Sequence, residues 1–488
     1  MHSPEGLHRR DRAASALRGV LLGALLAVAA TASAVHAADD DGGTVAYELD
    51  NGLTLIVQED HRAGVVVNMV WYAVGGSYEH RPITGISHAV EHMMFKGTET
   101  RETGEFSRLI NREGGRLNAF VAQDYTGYFE ELAADRLELA FELEADRMHR
   151  LVFREDEFER EMQVIHEERR QRVDDRPESL AMERFRAIAH LSNQYRDPVI
   201  GWQADLDTME LADLEQWYER WYAPGNATVV VVGAVDPEEV RALAEKYFGE
   251  VPARETEPAP GGAEVEAPGR RSMEMELDGA RLPLLYMAYN VPTLGTVQRE
   301  EEAYALLLAA ELLDGGRSAR LPERVVREQG IASVAQASYD PVARLDSVFT
   351  LVARPAGDHG RADLEEALHA ELRDLREESV AEEELERAVT RLLADRVYAE
   401  DSLMGRANRL GRLEATGIGW EEAELFEKRL RSVTAGDIQE VARKYFRDDR
   451  LTVGWMEPTG ERATPEDPGE GAPPPGEGHD AGAPEGGY

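Results

Sequence analysis

The sequence predicts an α+β fold made of two successive α/β units. Three observations predict it. Strand-like and helix-like patterns alternate from Thr44 to Tyr247, a stretch rich in Pro, Gly, Ala and Glu follows at 253–271, and the same order of patterns then returns between Met273 and Trp455. Two units of similar size and order on either side of a breaker-rich segment point to an internal duplication.

The elements follow in chain order. Thr44–Leu49 and Leu53–Gln58 alternate apolar and polar residues around Asp50-Asn51-Gly52, a hairpin signal. Val65–Val74 is a longer apolar strand. A helix bearing His88 and His92 follows, and another runs near Glu105–Glu113. Gly114-Gly115 turns into a strand ending at Val121, and Tyr125–Leu132 is the next strand. Helical patterns dominate from Asp135 to about Tyr222. Thr228–Val232 is a continuous apolar run, as expected of a buried strand, and Pro237–Tyr247 is a helix. In the second unit the strands are Met273–Leu277, Leu284–Asn290, Ala335–Tyr339, Val348–Ala353 and Leu451–Trp455. The helix Glu300–Leu313 leads into the turn Gly315–Leu321, and long helices precede the last strand.

Residues 1–37 read as a secretory signal. Arg9, Arg10, Arg12 and Arg18 are followed by an apolar stretch, Gly19 to Ala30, too short to span a bilayer comfortably, and Val35-His36-Ala37 offers a small-residue cleavage site. The expected organisation is a signal over 1–37, a first domain over 38–252, a linker over 253–271, a second domain over 272–456 and a disordered acidic Pro/Gly tail over 457–488. An exported protein in the bacterial periplasm is the expectation. The absence of cysteine rules out disulfides and thiolate metal ligands. A net charge of −40, with lysine only at Lys96, Lys246, Lys428 and Lys444, argues against nucleic acid and anionic lipid as partners.

The most informative segment is Gly85-Ile86-Ser87-His88-Ala89-Val90-Glu91-His92-Met93-Met94. Residues four apart share a helix face, so His88 and His92 can address one metal ion, and Glu91 lies within reach of a water there. This is the H-x-x-E-H pattern. A catalytic zinc needs three protein ligands and an open position, so one more ligand is required. A charged helix over 155–170 offers carboxylates. Glu161 and Glu168 are two turns apart on one face, while Glu167 points elsewhere, and spacing alone does not choose between the two. His166 lies off that face, and His61 and His80 lack partners at ligand spacing. All three are expected to be no ligands.

With its neighbours, the motif resembles the pitrilysin/insulinase family of zinc metallopeptidases, in its short, two-domain exported subfamily related to mitochondrial processing peptidase. The resemblance covers 44–456 and is carried by several stretches. Glu161-Met162-Gln163-Val164-Ile165-His166-Glu167-Glu168 is similar to the family's second metal-site helix, with Glu168 76 positions after His92. Leu117-Asn118-Ala119-Phe120, with Asp124–Phe129, is similar to its substrate-pairing edge strand. Tyr222–Ala227 running into Val229–Gly233, and the turn Gly315–Leu321, match further family stretches.

The resemblance implies two homologous α/β-sandwich domains, each a mixed sheet with helices packed on it, forming half of a clamshell chamber. It implies one zinc ion per chain held by His88, His92 and Glu168, with Glu161 holding a ligating histidine. Glu91 would be the general base, and Asn118, Ala119 and Arg327 would bind the peptide. The second unit carries no H-x-x-E-H and is expected to hold no metal. Family members pair an Arg and a Tyr about seven residues apart in the second domain. Here Arg327 is present, but Ser333 or Val334 fills the Tyr position. The expectation is therefore a zinc endopeptidase acting on peptides or unfolded chains. It would work as a homodimer, or as a heterodimer with a zinc-less relative that supplies the Arg/Tyr pair. An inert peptide-binding or scaffold subunit is the alternative. The intact His88, Glu91, His92 and Glu168 weigh against it.

Overall fold

Two sheets of matching topology organise the chain. The computed structural model describes residues 43–261 and 263–460. The expected signal, and the expected tail beyond Gly460, lie outside the described residues.

The first half opens with β1 (Thr44–Glu48) and β2 (Thr54–Glu59), an antiparallel hairpin across Asp50-Asn51-Gly52. β3 (Val65–Tyr72), α1 (Ile86–Met93), α2 (Glu105–Arg112), β4 (Arg116–Val121) and β5 (Thr126–Ala133) follow. Then come α3 (Leu137–Arg150), α4 (Glu155–Arg169), a wide π-helical turn over Arg170–Asp174, α5 (Pro177–Ala189), α6 (Gln203–Leu206) and α7 (Leu211–Trp221). β6 (Ala227–Gly233) is buried throughout, as its apolar run requires. α8 (Pro237–Tyr247) starts where its sequence says it should. Asp236 accepts from the Glu238 and Glu239 N–H groups at 3.0 Å each, and Pro237 occupies the first turn.

The second half runs β7 (Arg271–Leu277), β8 (Leu284–Val291), α9 (Glu300–Asp314), a π-helical segment over Leu321–Glu328, β9 (Ala332–Ser338) and β10 (Ser347–Pro355). It continues through α10 (Arg361–Glu377), α11 (Glu382–Glu400), α12 (Leu403–Ala415), α13 (Glu422–Ser432) and α14 (Ala435–Tyr445) to β11 (Leu451–Pro458).

The first sheet has the order β1-β2-β6-β3-β5-β4 and the second the order β7-β11-β8-β10-β9. With β1 set aside, the two orders correspond strand for strand. The directions correspond as well: β2 with β6 and β7 with β11 are the parallel pairs, and the remaining pairs are antiparallel. The duplication read from the sequence is thus a duplication of topology.

The halves exchange helices. α12, from the second half, covers one face of the first sheet, where Ala407, Leu410 and Leu413 join Ile56, Val67, Met69, Trp71 and Val230 in one buried cluster. α5, from the first half, covers the second sheet, with Ala181, Phe185 and Ala189 against Leu284, Tyr286, Ala288 and Met456. Each sheet therefore buries one apolar face under a helix of the other half, as a sheet with two apolar faces must.

Two sequence expectations shift. The strand expected to end at Trp455 runs to Pro458, paired in parallel with β7 as far as Leu277, so 457 and 458 belong to the sheet and not to a disordered tail. A proline at the last position of a strand leaves no ladder hydrogen bond unmade, which is why the composition misled there. The described residues of the linker are loop as far as Arg270, with β7 beginning at Arg271, but not loose: Glu264 accepts the N–H groups of Leu191 at 2.6 Å, Ser192 at 3.1 Å and Asn193 at 3.2 Å.

Candidate metal centre and active site

α1 is short and carries the whole H-x-x-E-H motif. Its entry is fixed by two devices. Gly85 turns in with φ of 88°, and a Cβ there would stand 2.7 Å from the Ile200 carbonyl oxygen. Glu79, buried, accepts the N–H groups of Gly85 at 2.6 Å and Ser87 at 2.8 Å, satisfying donors that the first turn leaves unpaired. Burial pushes the Glu79 carboxyl up to about 8, against the pull of those N–H groups. Ile86, Ala89, Val90 and Met93 anchor the helix in the main core of the first half.

α4 packs against α1 and presents Glu161 and Glu168 to it. His88 Nε2 lies 3.6 Å from Glu168 Oε2, and His92 Nε2 lies 3.5 Å from the same oxygen. One ligand atom from each of these three residues falls within 4.8 Å of the other two. Donors bonded at about 2.0–2.1 Å on a tetrahedron stand roughly 3.3–3.4 Å apart. The two carboxylate–imidazole separations are thus long for hydrogen bonds and close to a tetrahedral edge, and two imidazoles with a carboxylate are a donor set that suits zinc. Burial, with His92 alongside, pushes His88 down to about 4, which leaves it the neutral imidazole that a metal requires. Burial opposes the ionisation of Glu168, yet His92, His88 and Arg172 hold it down at about 2.

The remaining groups surround this cluster. His92 Nδ1 lies 3.1 Å from Glu161 Oε2, and Glu161 Oε1 lies 2.6 Å from Lys96 Nζ. Arg172, on the π-helical turn, reaches Glu168 Oε1 at 3.0 Å. Burial pushes Glu91 up to about 7. Beneath it the hydroxyls of Tyr128 and Tyr222 meet at 3.1 Å. Burial raises both, and the charge of Glu91 adds to the rise.

The sequence-predicted residues divide into two groups. His88, Glu91, His92, Glu161 and Glu168 come together. Asn118 and Ala119 lie on β4, the edge strand of the first sheet beside α1, and the Ala119 N–H donates to Asn118 Oδ1 at 2.9 Å. Arg327 stands apart in the second half, 3.7 Å from Glu323 on its own turn. Ser333 and Val334 lie on the edge strand β9, where the Ser333 hydroxyl donates to the Arg354 carbonyl at 3.4 Å. His166 faces Gln203 at 2.9 Å, and Glu167 pairs with Arg170 at 2.6 Å, both off the cluster. His61 and His80 are exposed. Lys96, Arg172 and Glu79 are the participants that sequence reasoning missed. Lys96 had one signal: it is a rare lysine four residues past His92.

Comparison with known proteins supplies the context. The family model described as "Insulinase (Peptidase family M16)" matches residues 54–201, and that described as "Peptidase M16 inactive domain" matches 208–392. A relative called zinc protease PqqE, from Helicobacter pylori, is 29% identical over 417 residues, covering 84% of this chain and 92% of its own. A Bacillus subtilis relative called an uncharacterized zinc protease, YmxG, is 24% identical and covers 85% of this chain and 98% of its own. The crystal structure of a protease from Helicobacter pylori superposes with a TM-score of 0.79 at 28% identity, over 86% of this chain and 100% of that one. The periplasmic protease PqqL from Escherichia coli shares the fold with a TM-score of 0.72 at 23% identity, over 86% of this chain but 48% of that one.

Proposed function

This chain belongs to the insulinase family, peptidase family M16, and on that premise we propose that it is a zinc-dependent endopeptidase acting on peptides or unfolded polypeptides. The observation that carries the reading is the convergence of His88, His92 and Glu168 with Glu91 on the same short helix. The "inactive domain" description falls largely on the half without the motif, so it does not weigh against the first half.

Zinc would be held by His88, His92 and Glu168, and would supply a Lewis acid toward water and toward a scissile carbonyl. Glu161 fixes the ring of His92 through Nδ1. Glu91 takes the proton of the attacking water and returns it to the leaving amine. The outer edge of β4 would accept the peptide as an added strand, with Asn118 and Ala119 at its centre.

The match to PqqL spans 48% of that chain, which supports a working unit of two such halves forming a chamber. Arg327 is engaged with Glu323, and no tyrosine stands at 333 or 334. The reading is therefore a pair with either a second copy or a zinc-less relative that supplies the Arg/Tyr pair. A first domain over 38–252, a second over 271–458 as the strand bounds correct it, and export to a periplasm after loss of 1–37 belong to the same reading. The test is zinc stoichiometry and hydrolysis of a quenched-peptide library, by the chain alone and mixed with its candidate partner. Stoichiometric zinc with cleavage supports the peptidase. Full activity alone removes the heterodimer, and absence of zinc and cleavage in every mixture overturns the reading in favour of an inert subunit.

A further inference from the structure

We propose that Lys96 is a positioning residue for the metal centre, acting through Glu161 on His92. The inference rests on the zinc reading of the His88–His92–Glu168 cluster.

Glu161 and Glu168 sit two turns apart on α4 and are used alike. Each turns one oxygen inward, Glu161 Oε2 to His92 Nδ1 at 3.1 Å and Glu168 Oε2 to the two Nε2 atoms at 3.5 and 3.6 Å. Each turns its other oxygen outward to a cation, Glu161 Oε1 to Lys96 at 2.6 Å and Glu168 Oε1 to Arg172 at 3.0 Å. The two cations differ in environment. The Lys96 side chain is 22% exposed and the Arg172 side chain 71%.

An exposed ion pair is screened by water and holds its partner weakly, whereas a part-buried one restricts it. Lys96 is also held at its backbone. Its N–H donates to the Met93 carbonyl at 2.9 Å, and its carbonyl accepts from the Thr103 hydroxyl and from Arg154 Nη1 at 3.3 Å. The ammonium therefore arrives at Glu161 from a fixed loop, and Glu161 is left with one orientation in which it meets the His92 ring. Without Lys96 the carboxylate regains its rotamers, and His92 loses the fixed partner that aims Nε2 at the metal.

The experiment loads wild type and variants with zinc and follows transfer of the metal to a chromogenic chelator in excess. Lys96→Gln and Lys96→Met, the second keeping the length of the stem, are expected to release zinc about 10–100-fold faster, the range for loss of a group that orients a ligand. Lys96→Arg keeps the cation and is expected nearer to wild type. Arg172→Gln is expected within about threefold of wild type. In a Glu161→Gln background, Lys96→Gln is expected to add nothing, because its only route to the metal is gone. A merely structural role for Lys96 would give additive effects in that cycle. Additivity, or release by both neutral variants at the wild-type rate, overturns the inference and leaves the zinc reading standing. A wild type that takes up no zinc overturns both.

Discussion

Gly411 of α12 lies directly against the indole of Trp71 in β3, so closely that any Cβ at 411 would collide with the ring. Trp71 is 1% exposed, and it is held from the sides by Phe120 and Tyr125, with ring centroids 5.2 and 5.0 Å away. The ring has no free direction in which to yield. Gly411→Ala is therefore expected to lower stability by about 1–3 kcal/mol through overpacking. Its position makes it more than a local defect, because α12 is the second half's cover for the first sheet. Urea unfolding measures it: a lower midpoint is expected, and an unchanged one would show that α12 can slide away from Trp71 at no cost.

That contact also marks what a sequence of this kind can and cannot disclose. The Asp50-Asn51-Gly52 hairpin, the apolar run of β6 and the Asp236-Pro237 start of α8 were legible because local chemistry decides them. The cluster of candidate ligands was legible only in part for that reason: four-residue spacing aligns His88 with His92 and two helical turns align Glu161 with Glu168, but the choice of Glu168 over Glu161 came from the resemblance to the family and not from spacing. The exchange of α5 and α12 was not legible. An amphipathic helix reports that it covers something, not which sheet it covers. Lys96, Arg172 and Glu79 escaped because ion pairs between elements, and carboxylates that cap a distant helix through backbone N–H groups, leave no periodic trace.

Glu91→Gln separates binding from chemistry. Gln has nearly the shape of Glu, and Glu91 is not among the three residues whose ligand atoms converge. Zinc content is therefore expected to match wild type, while peptide hydrolysis falls by about 10²–10⁴-fold, the usual loss with a general base. Metal analysis and turnover on the same preparation check it. Retained turnover would remove Glu91 from the proton-transfer role.

Removing a ligand separates the metal from the fold. A ligand that binds only the native state stabilises it by about 2.7 kcal/mol at a free concentration of 100 times Kd. Zinc is thus expected to raise the melting midpoint of the metal-stripped wild type. Glu168→Ala leaves the two imidazoles without the carboxylate 3.5 and 3.6 Å away, and its midpoint is expected not to respond to the same zinc. A response as large as that of wild type would place the third ligand elsewhere.

Glu79 makes the motif helix sensitive to pH through the fold and not through the metal. Burial carries its carboxyl up to about 8, outweighing the two N–H groups it accepts, whereas in the unfolded chain it titrates at the ordinary 4.5. The native protein thus retains a proton that the unfolded chain releases between those values, and the stability contributed by Glu79 declines as pH rises from about 4.5 to about 8. Gln at this position does not titrate, and its amide turns one donor toward a backbone N–H that Glu79 accepts. Glu79→Gln is expected to be less stable than wild type at acid pH by about 0.5–2 kcal/mol, the usual range for a lost cap. The gap is expected to close and then to reverse as pH rises toward 8, because the linked loss in wild type exceeds the cost of the lost cap. Urea midpoints of both proteins at pH 5, 6.5 and 8 check the sign, and a gap that widens with pH would mean that the N–H groups, and not burial, set the charge of Glu79.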